Sequence, residues 1–242
     1  MSRTFPFIHG LVGHVSICPR LSTHLTACLN PKNGFIRLSD LNMIKRKPEN
    51  IKLTLPVSES RDHIQGPANA PVTLLEYGDY ECPYCAQTYI IIKEAQERLG
   101  SKLRFVFRNF PVTKVRPHAY ETALAAETAA AHGKFWEMYD YLFKHGQWLT
   151  NDSLRQSAAK LGLGLAGFDQ DFLGRRYSSH IDEDIESGKS SGVKSTPTFF
   201  INEDRYDGAW DLDSLLAALD EESVFSWRQK INKIFQSAIR CI

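Results

Sequence analysis

The sequence predicts an α/β domain around a central sheet, in the order βαβ, a four-helix-type insertion, then ββα. Three observations predict it. A short apolar run at residues 72–77 (VTLLEY) precedes a helix-forming stretch and a second apolar run at 103–107 (LRFVF). From about 117 to 187 the apolar residues recur at helical spacing instead. Strand-like residues return at 198–201 (TFFI), ahead of one closing helical pattern. Elements in this order bury their apolar faces in a layered core with a central sheet.

The bulk numbers narrow the function. A chain of 242 residues fits one generous domain with tails. Its formal charge of +1 supplies no field to gather a polyanion, which argues against nucleic acid as a partner. Five cysteines are too few for a disulfide-built scaffold, so an apolar core must hold the fold. No run of about 18 apolar residues occurs, and no transmembrane helix is expected.

Taken in order, residues 1–57 show no sustained period and read as a largely irregular N-terminal extension. Within it, Arg3 leads into FPFIHGLVGHVSI, where Pro6, two histidines and two glycines break the apolar segment that export requires. Leu25-Thr26-Ala27-Cys28 resembles a bacterial lipobox, but Arg20 and His24 interrupt the approach to it. A cytoplasmic location is therefore expected, with periplasmic or lipid-anchored as the alternative. Met43 opens a distinct stretch, MIKRKPENIKLTLP, whose alternating apolar residues suit an edge strand. Residues 1–42 are expected to add little to the folded domain.

Gly66-Pro67 and Ala70-Pro71 punctuate the entry to the domain, placed at 58–220. The run 72–77 reads as a buried strand. A helix starts at Pro83, where the missing amide hydrogen costs nothing, and stops at Gly100. With 103–107 as the next strand, the unit reads as a right-handed crossover between parallel strands. In the insert, at about 117–187, Ala119, Ala123, Ala126 and Ala130 make one helical stripe ended by Gly133. FWEMYDYLF and SLRQSAAKLG follow as helices, and a further helix is expected over 168–186. These segments carry no chemical motif and read as core. Strands at 198–201 and 205–207 are joined by Asn202-Glu203-Asp204. A closing helix spans 212–219, with Asp211 or Asp213 at its cap. Residues 221–242 form an amphipathic helix, with Val224, Trp227, Ile231, Ile234 and Ala238 on one face. The ordinary expectation is that it folds back on the domain; contact with a membrane is the alternative.

The chemistry sits at 82–85, Cys-Pro-Tyr-Cys. A cysteine where a parallel strand ends and a helix begins meets unpaired N–H groups and the positive end of the helix dipole. Both favour the thiolate, so Cys82 is expected to be the more acidic and more exposed thiol, below the usual value of about 8.5. Pro83 fixes the turn, and Cys85 falls one helical turn on, within reach of a disulfide. Two thiols so placed can cycle between dithiol and disulfide. A zinc site would need two more ligands, yet no second Cys-x-x-Cys or paired-histidine spacing occurs, so no metal is expected. His118 opens the first insert helix and reads as a surface residue. Trp210 is expected beneath the last helix, and Cys241 is read as incidental.

CPYC after an apolar strand, the helical insert, and Gly192-Val193-Lys194-Ser195-Thr196-Pro197-Thr198 before a strand resemble the DsbA-like thiol–disulfide oxidoreductases of the thioredoxin superfamily. The resemblance implies a thioredoxin-like fold with Cys82 as nucleophile and Cys85 as resolving thiol. It makes Pro197 the cis-proline beside the disulfide, lining up a substrate backbone with Thr196 just before it. It also makes Glu76 the buried acid beneath the site, able to relay the proton of Cys85. Pro83 and Tyr84 stand where strongly oxidising members have Pro and His. The missing imidazolium implies a less oxidising couple. The resemblance implies protein thiols and disulfides as substrates, a redox protein or glutathione as partner, and no bound cofactor. CPYC is also a glutaredoxin pattern, which keeps a glutathione-linked dithiol reductase as an alternative. A peptide-binding or chaperone module, using the groove beside Pro197, is the other.

Overall fold

The computed structural model describes residues 51–145 and 149–221. Five strands form one mixed sheet in the order β1-β3-β2-β4-β5. They are β1 His63–Gln65, β2 Val72–Gly78, β3 Leu103–Asn109, β4 Thr198–Ile201 and β5 Asp204–Tyr206. The central pair β2 and β3 runs parallel, from Val72 opposite Leu103 to Gly78 opposite Asn109. Helix α1, Pro83–Leu99, makes the crossover between them and ends where Gly100 turns to φ 50°. β4 lies antiparallel on the other side of β2, with Glu76 opposite Phe199.

The unbroken apolar run of β2 follows from burial on both faces, as parallel strands require. Leu74, Phe105 and Phe107 face the insert side, while Leu75, Tyr77, Val106 and Phe200 face a smaller core opposite. Five insert helices follow β3: α2 Ala119–Ala131, α3 Phe135–His145, α4 Asn151–Lys160, α5 Leu165–Leu173 and α6 Ser178–Ser190. The alanine stripe of α2 brings backbones close together, and α3 turns Phe135, Tyr139 and Phe143 onto the sheet. Tyr139 meets Phe107 edge-on at 5.0 Å. A last helix, α7, occupies 212–221. Asp211 caps it, accepting from the Ser214 N–H at 2.9 Å, which decides between the two aspartates.

Three expectations need correction. The single helix expected over 168–186 is two, α5 and α6. Gly174 closes α5 by donating to the Gln170 carbonyl, and Arg175 takes φ 51°, which no helix interior accommodates. The hairpin loop is tighter than Asn202-Glu203-Asp204. Asn202 and Glu203 both have positive φ, 48° and 75°, so two residues complete the turn and β5 starts at Asp204. Residues 51–57, assigned to the irregular extension, pack on the domain. Lys52 bridges to Asp204, the Leu53 N–H donates to the Glu203 carbonyl at 2.8 Å, and the Leu53 side chain joins the smaller core. The edge pairing expected of MIKRKPENIKLTLP is present in its last residues. Strand β1 has no counterpart in the sequence pattern, being three half-buried residues long. The extension at 1–42 and the amphipathic stretch at 224–239 lie outside the described residues. Among the described residues no helix is long and apolar enough to cross a membrane.

Candidate active site

β2 ends at Gly78, and the turn Asp79-Tyr80-Glu81 carries the chain to Cys82 at the N-cap of α1. Gly78 is required: a Cβ there would lie 2.3 Å from the Phe107 ring. The Asp79 carboxylate organises the turn, accepting from the Glu81 N–H (2.9 Å), the Val112 N–H (2.9 Å) and Arg116 (3.1 Å). Glu81 in turn accepts from the His118 N–H at 3.0 Å. His118 therefore serves the site through its backbone, by tying the first insert helix to the turn before Cys82. Asp79, Glu81 and Arg116 were not singled out in the sequence, where scattered charges carry no spacing signal.

Both thiols are unbridged, and both are buried, Cys82 at 1% exposure and Cys85 at 0%. Cys82 is the more exposed of the two, as expected, but only narrowly: it opens onto a cavity of about 660 Å³, lined also by Tyr80, Glu81, Pro83, Phe143 and Lys144. From the opposite side the loop before β4 closes in. The Cys82 thiol donates to the Thr196 carbonyl at 3.2 Å, and the Thr196–Pro197 peptide is cis.

The two sulfurs are driven apart in acidity. A hydrogen bond from the Cys85 thiol holds Cys82 down at about 5. Burial opposes this, while the Thr196 side chain, the Cys85 N–H and Arg116 add to it. The Thr196 hydroxyl is buried and otherwise unpartnered, so it is free to donate to a thiolate. Cys85 is pushed up by burial, by its bond to Cys82 and by the charge of Glu76. Glu76 lies in mid-β2 between β3 and β4, with 0% exposure. Burial, then the charge of Cys82, raises it to about 8. Thr88 reaches one carboxylate oxygen at 3.5 Å, and the other is buried without a partner. A carboxyl so buried stays protonated at neutral pH and lies within hydrogen-bond reach of Cys85.

The family described as Thioredoxin matches this chain over residues 58–221. The chain belongs to this thioredoxin family. Its fold is DsbA-like. Oxidised BdbD from Bacillus subtilis matches 71% of this chain and 98% of its own, with a TM-score of 0.64 at 21% identity. Wolbachia pipientis α-DsbA1 matches 73% and 97%, with a TM-score of 0.63 at 19% identity. Similar curated sequences carry another name. The Na(+)/H(+) antiporter NhaA 1 of Mycolicibacterium gilvum is 38% identical over 178 residues. NhaA 3 of Salinispora tropica is 41% identical over 169 residues. The match takes in 72% and 70% of this chain but only 28% and 26% of those proteins, so what they share with it is a thioredoxin-family segment.

Around the thiols of this thioredoxin-family domain, Pro83 fills the first position of α1 and Tyr84 stands 56% exposed. Trp210 is 40% exposed and meets Tyr84 edge-on at 6.2 Å, so it flanks the active site and does not lie beneath the last helix. Away from the thiols, His63, Glu127 and His180 bring potential metal-ligand atoms within 4.8 Å of one another. These three stand 64 and 53 residues apart, a spacing from which no metal motif can be read.

Proposed function

We propose that the chain is a thiol–disulfide oxidoreductase that exchanges disulfides with protein substrates through Cys82 and Cys85. The observation that carries this reading is the split between the thiols: one held near 5 and facing a cavity, the other buried and held up. In oxidation, a substrate thiolate attacks the Cys82 sulfur of the enzyme disulfide. The Cys82–Cys85 bond breaks, and Cys85 leaves with the electron pair and takes a proton from Glu76. A second substrate thiolate then attacks the substrate sulfur of the mixed disulfide and expels Cys82 as a stable thiolate. Reduction runs the same steps backwards, with Glu76 recovering the proton of Cys85 as it attacks Cys82. The Thr196 backbone beside Pro197 offers a rail for an extended substrate.

A Cys82 value of about 5 supports an intermediate couple. It lies between about 3.5 for the most oxidising members of the superfamily and about 7 for reducing ones. A second reading, glutathione-linked reduction, is favoured by Lys144 and His145 on the cavity wall, where they can meet the two carboxylates of the tripeptide. Equilibration against glutathione buffers, followed by insulin reduction, tests both. Cys82→Ser should abolish turnover, and Cys85→Ser should accumulate a mixed disulfide at Cys82. Turnover that survives Cys82→Ser would sink the proposal. A Cys85→Ser adduct formed with glutathione in preference to protein would select the second reading.

A further inference from the structure

Three residues with no part in the thiol chemistry converge from three elements: His63 from edge strand β1, Glu127 from α2 and His180 from the first turns of α6. The Glu127 carboxylate oxygens lie 2.9 and 3.0 Å from His63 Nε2, and one lies 2.8 Å from His180 Nδ1. Two imidazole nitrogens and a carboxylate are the donor set of zinc centres that keep one position open to solvent. Bonds of about 2.0–2.1 Å in a tetrahedral arrangement set neighbouring donor atoms roughly 3.3 Å apart. The Glu127–His63 and Glu127–His180 separations need to open by only a few tenths of an ångström to reach that spacing, and the two ring nitrogens lie within 4.8 Å of each other.

The surroundings resemble a built site. Glu127 forms the floor at 3% exposure, and the two rings form a partly exposed rim at 16% and 22%. Asn109 Nδ2 donates to Glu127 Oε1 at 2.7 Å and orients the carboxylate from outside, as partners of metal ligands do. The His63 ring is clamped against Phe135, with ring centres 3.4 Å apart and planes at 10°. Coordination requires bare nitrogens toward the carboxylate, so each ring must carry its proton on its second nitrogen. Neither second nitrogen is among the buried unpartnered atoms, so each can do so.

We propose that His63, Glu127 and His180 bind a divalent transition-metal ion of the zinc type, tying the edge strand to two helices of the insert. The sequence offers rival ligands in Cys82, Cys85, Cys18, Cys28, Cys241 and the N-terminal His9, His14 and His24. The test therefore uses the full-length protein with Cys82 and Cys85 oxidised and all other thiols alkylated. The protein is stripped with chelator and titrated with Zn²⁺ by calorimetry and with Co²⁺ by visible absorption. One ion per chain is expected, with binding weakened at least tenfold in each of His63→Ala, His180→Ala and Glu127→Gln. The glutamine variant keeps the shape of the floor and removes only its charge. A smaller loss in any of the three, or no uptake by the parent at millimolar metal, would overturn the proposal. If a histidine variant fails to fold, the Co²⁺ spectrum of the parent decides. Intense absorption from a four- or five-coordinate ion is expected, and the weak spectrum of an octahedral, surface-held ion would count against the site.

Discussion

A thiolate at Cys82 needs donors, and they reach it from two directions: Cys85 from within α1 and Thr196 from the loop before β4. Alkylation of the reduced protein should follow a titration near pH 5 at Cys82, with Cys85 unreacted through pH 8. Peptide mapping of the label checks this, and first labelling of Cys85 would reverse the roles. Glu76 yields a second prediction. Its carboxyl is raised from the ordinary 4.5 to about 8. A raised group stabilises the fold fully below its unfolded value, and that contribution is lost as pH rises through the folded one. Glu76→Gln, neutral throughout, should therefore gain on the parent between pH 4.5 and 8, by on the order of 5 kcal/mol. Thermal unfolding of both proteins at the two ends of that window measures it; a constant gap would show that Glu76 is ionised in the fold. Of the site, Cys82 and Cys85 were legible in the sequence from a strand end and a helix start, while Thr196 and Pro197 were singled out only through the family resemblance. The Asp79 turn and the His63 cluster were not, since tertiary structure alone brings their members together.

At the scale of elements, the β4–β5 hairpin carries a visible cost. Glu203 is exposed and holds φ 75°, a region that suits glycine and asparagine. Glu203→Gly would complete the Asn-Gly pair that such two-residue turns favour, and should raise stability by about 0.5–1 kcal/mol. Chemical denaturation reads the change; a loss would show that the glutamate side chain has work in the turn. Long periodic elements were readable from sequence: β2, α1, β3 and the α2 and α3 stripes stand close to where their patterns put them. What failed was short or hidden. β1 has too few residues to alternate. The break between α5 and α6 hangs on a left-handed Arg175, a residue type that gives no warning of it.

The whole molecule is held at one end by an ion pair that no single element contains. Arg108 and Asp62 are both fully buried and bonded at 2.8 and 3.0 Å, and Arg108 also donates to the carbonyls of Leu55 and Pro56. Residues 51–57 therefore supply the cation's acceptors as well as Leu53 to the core. A chain begun at residue 58 should lose more than about 3 kcal/mol against the full-length protein in denaturant unfolding, the scale of an emptied core position with acceptors removed. An unchanged midpoint would return the segment to the status of a tail. The same segment also covers a sheet edge. Through Ile51 and Leu53 it hydrogen-bonds to the backbone along the outer side of β5, where a bare strand would otherwise template pairing with another molecule. The chain thus insulates its own sheet margin. Under the activity proposed above, an extended substrate meets the thiols while β5 stays closed to strand pairing.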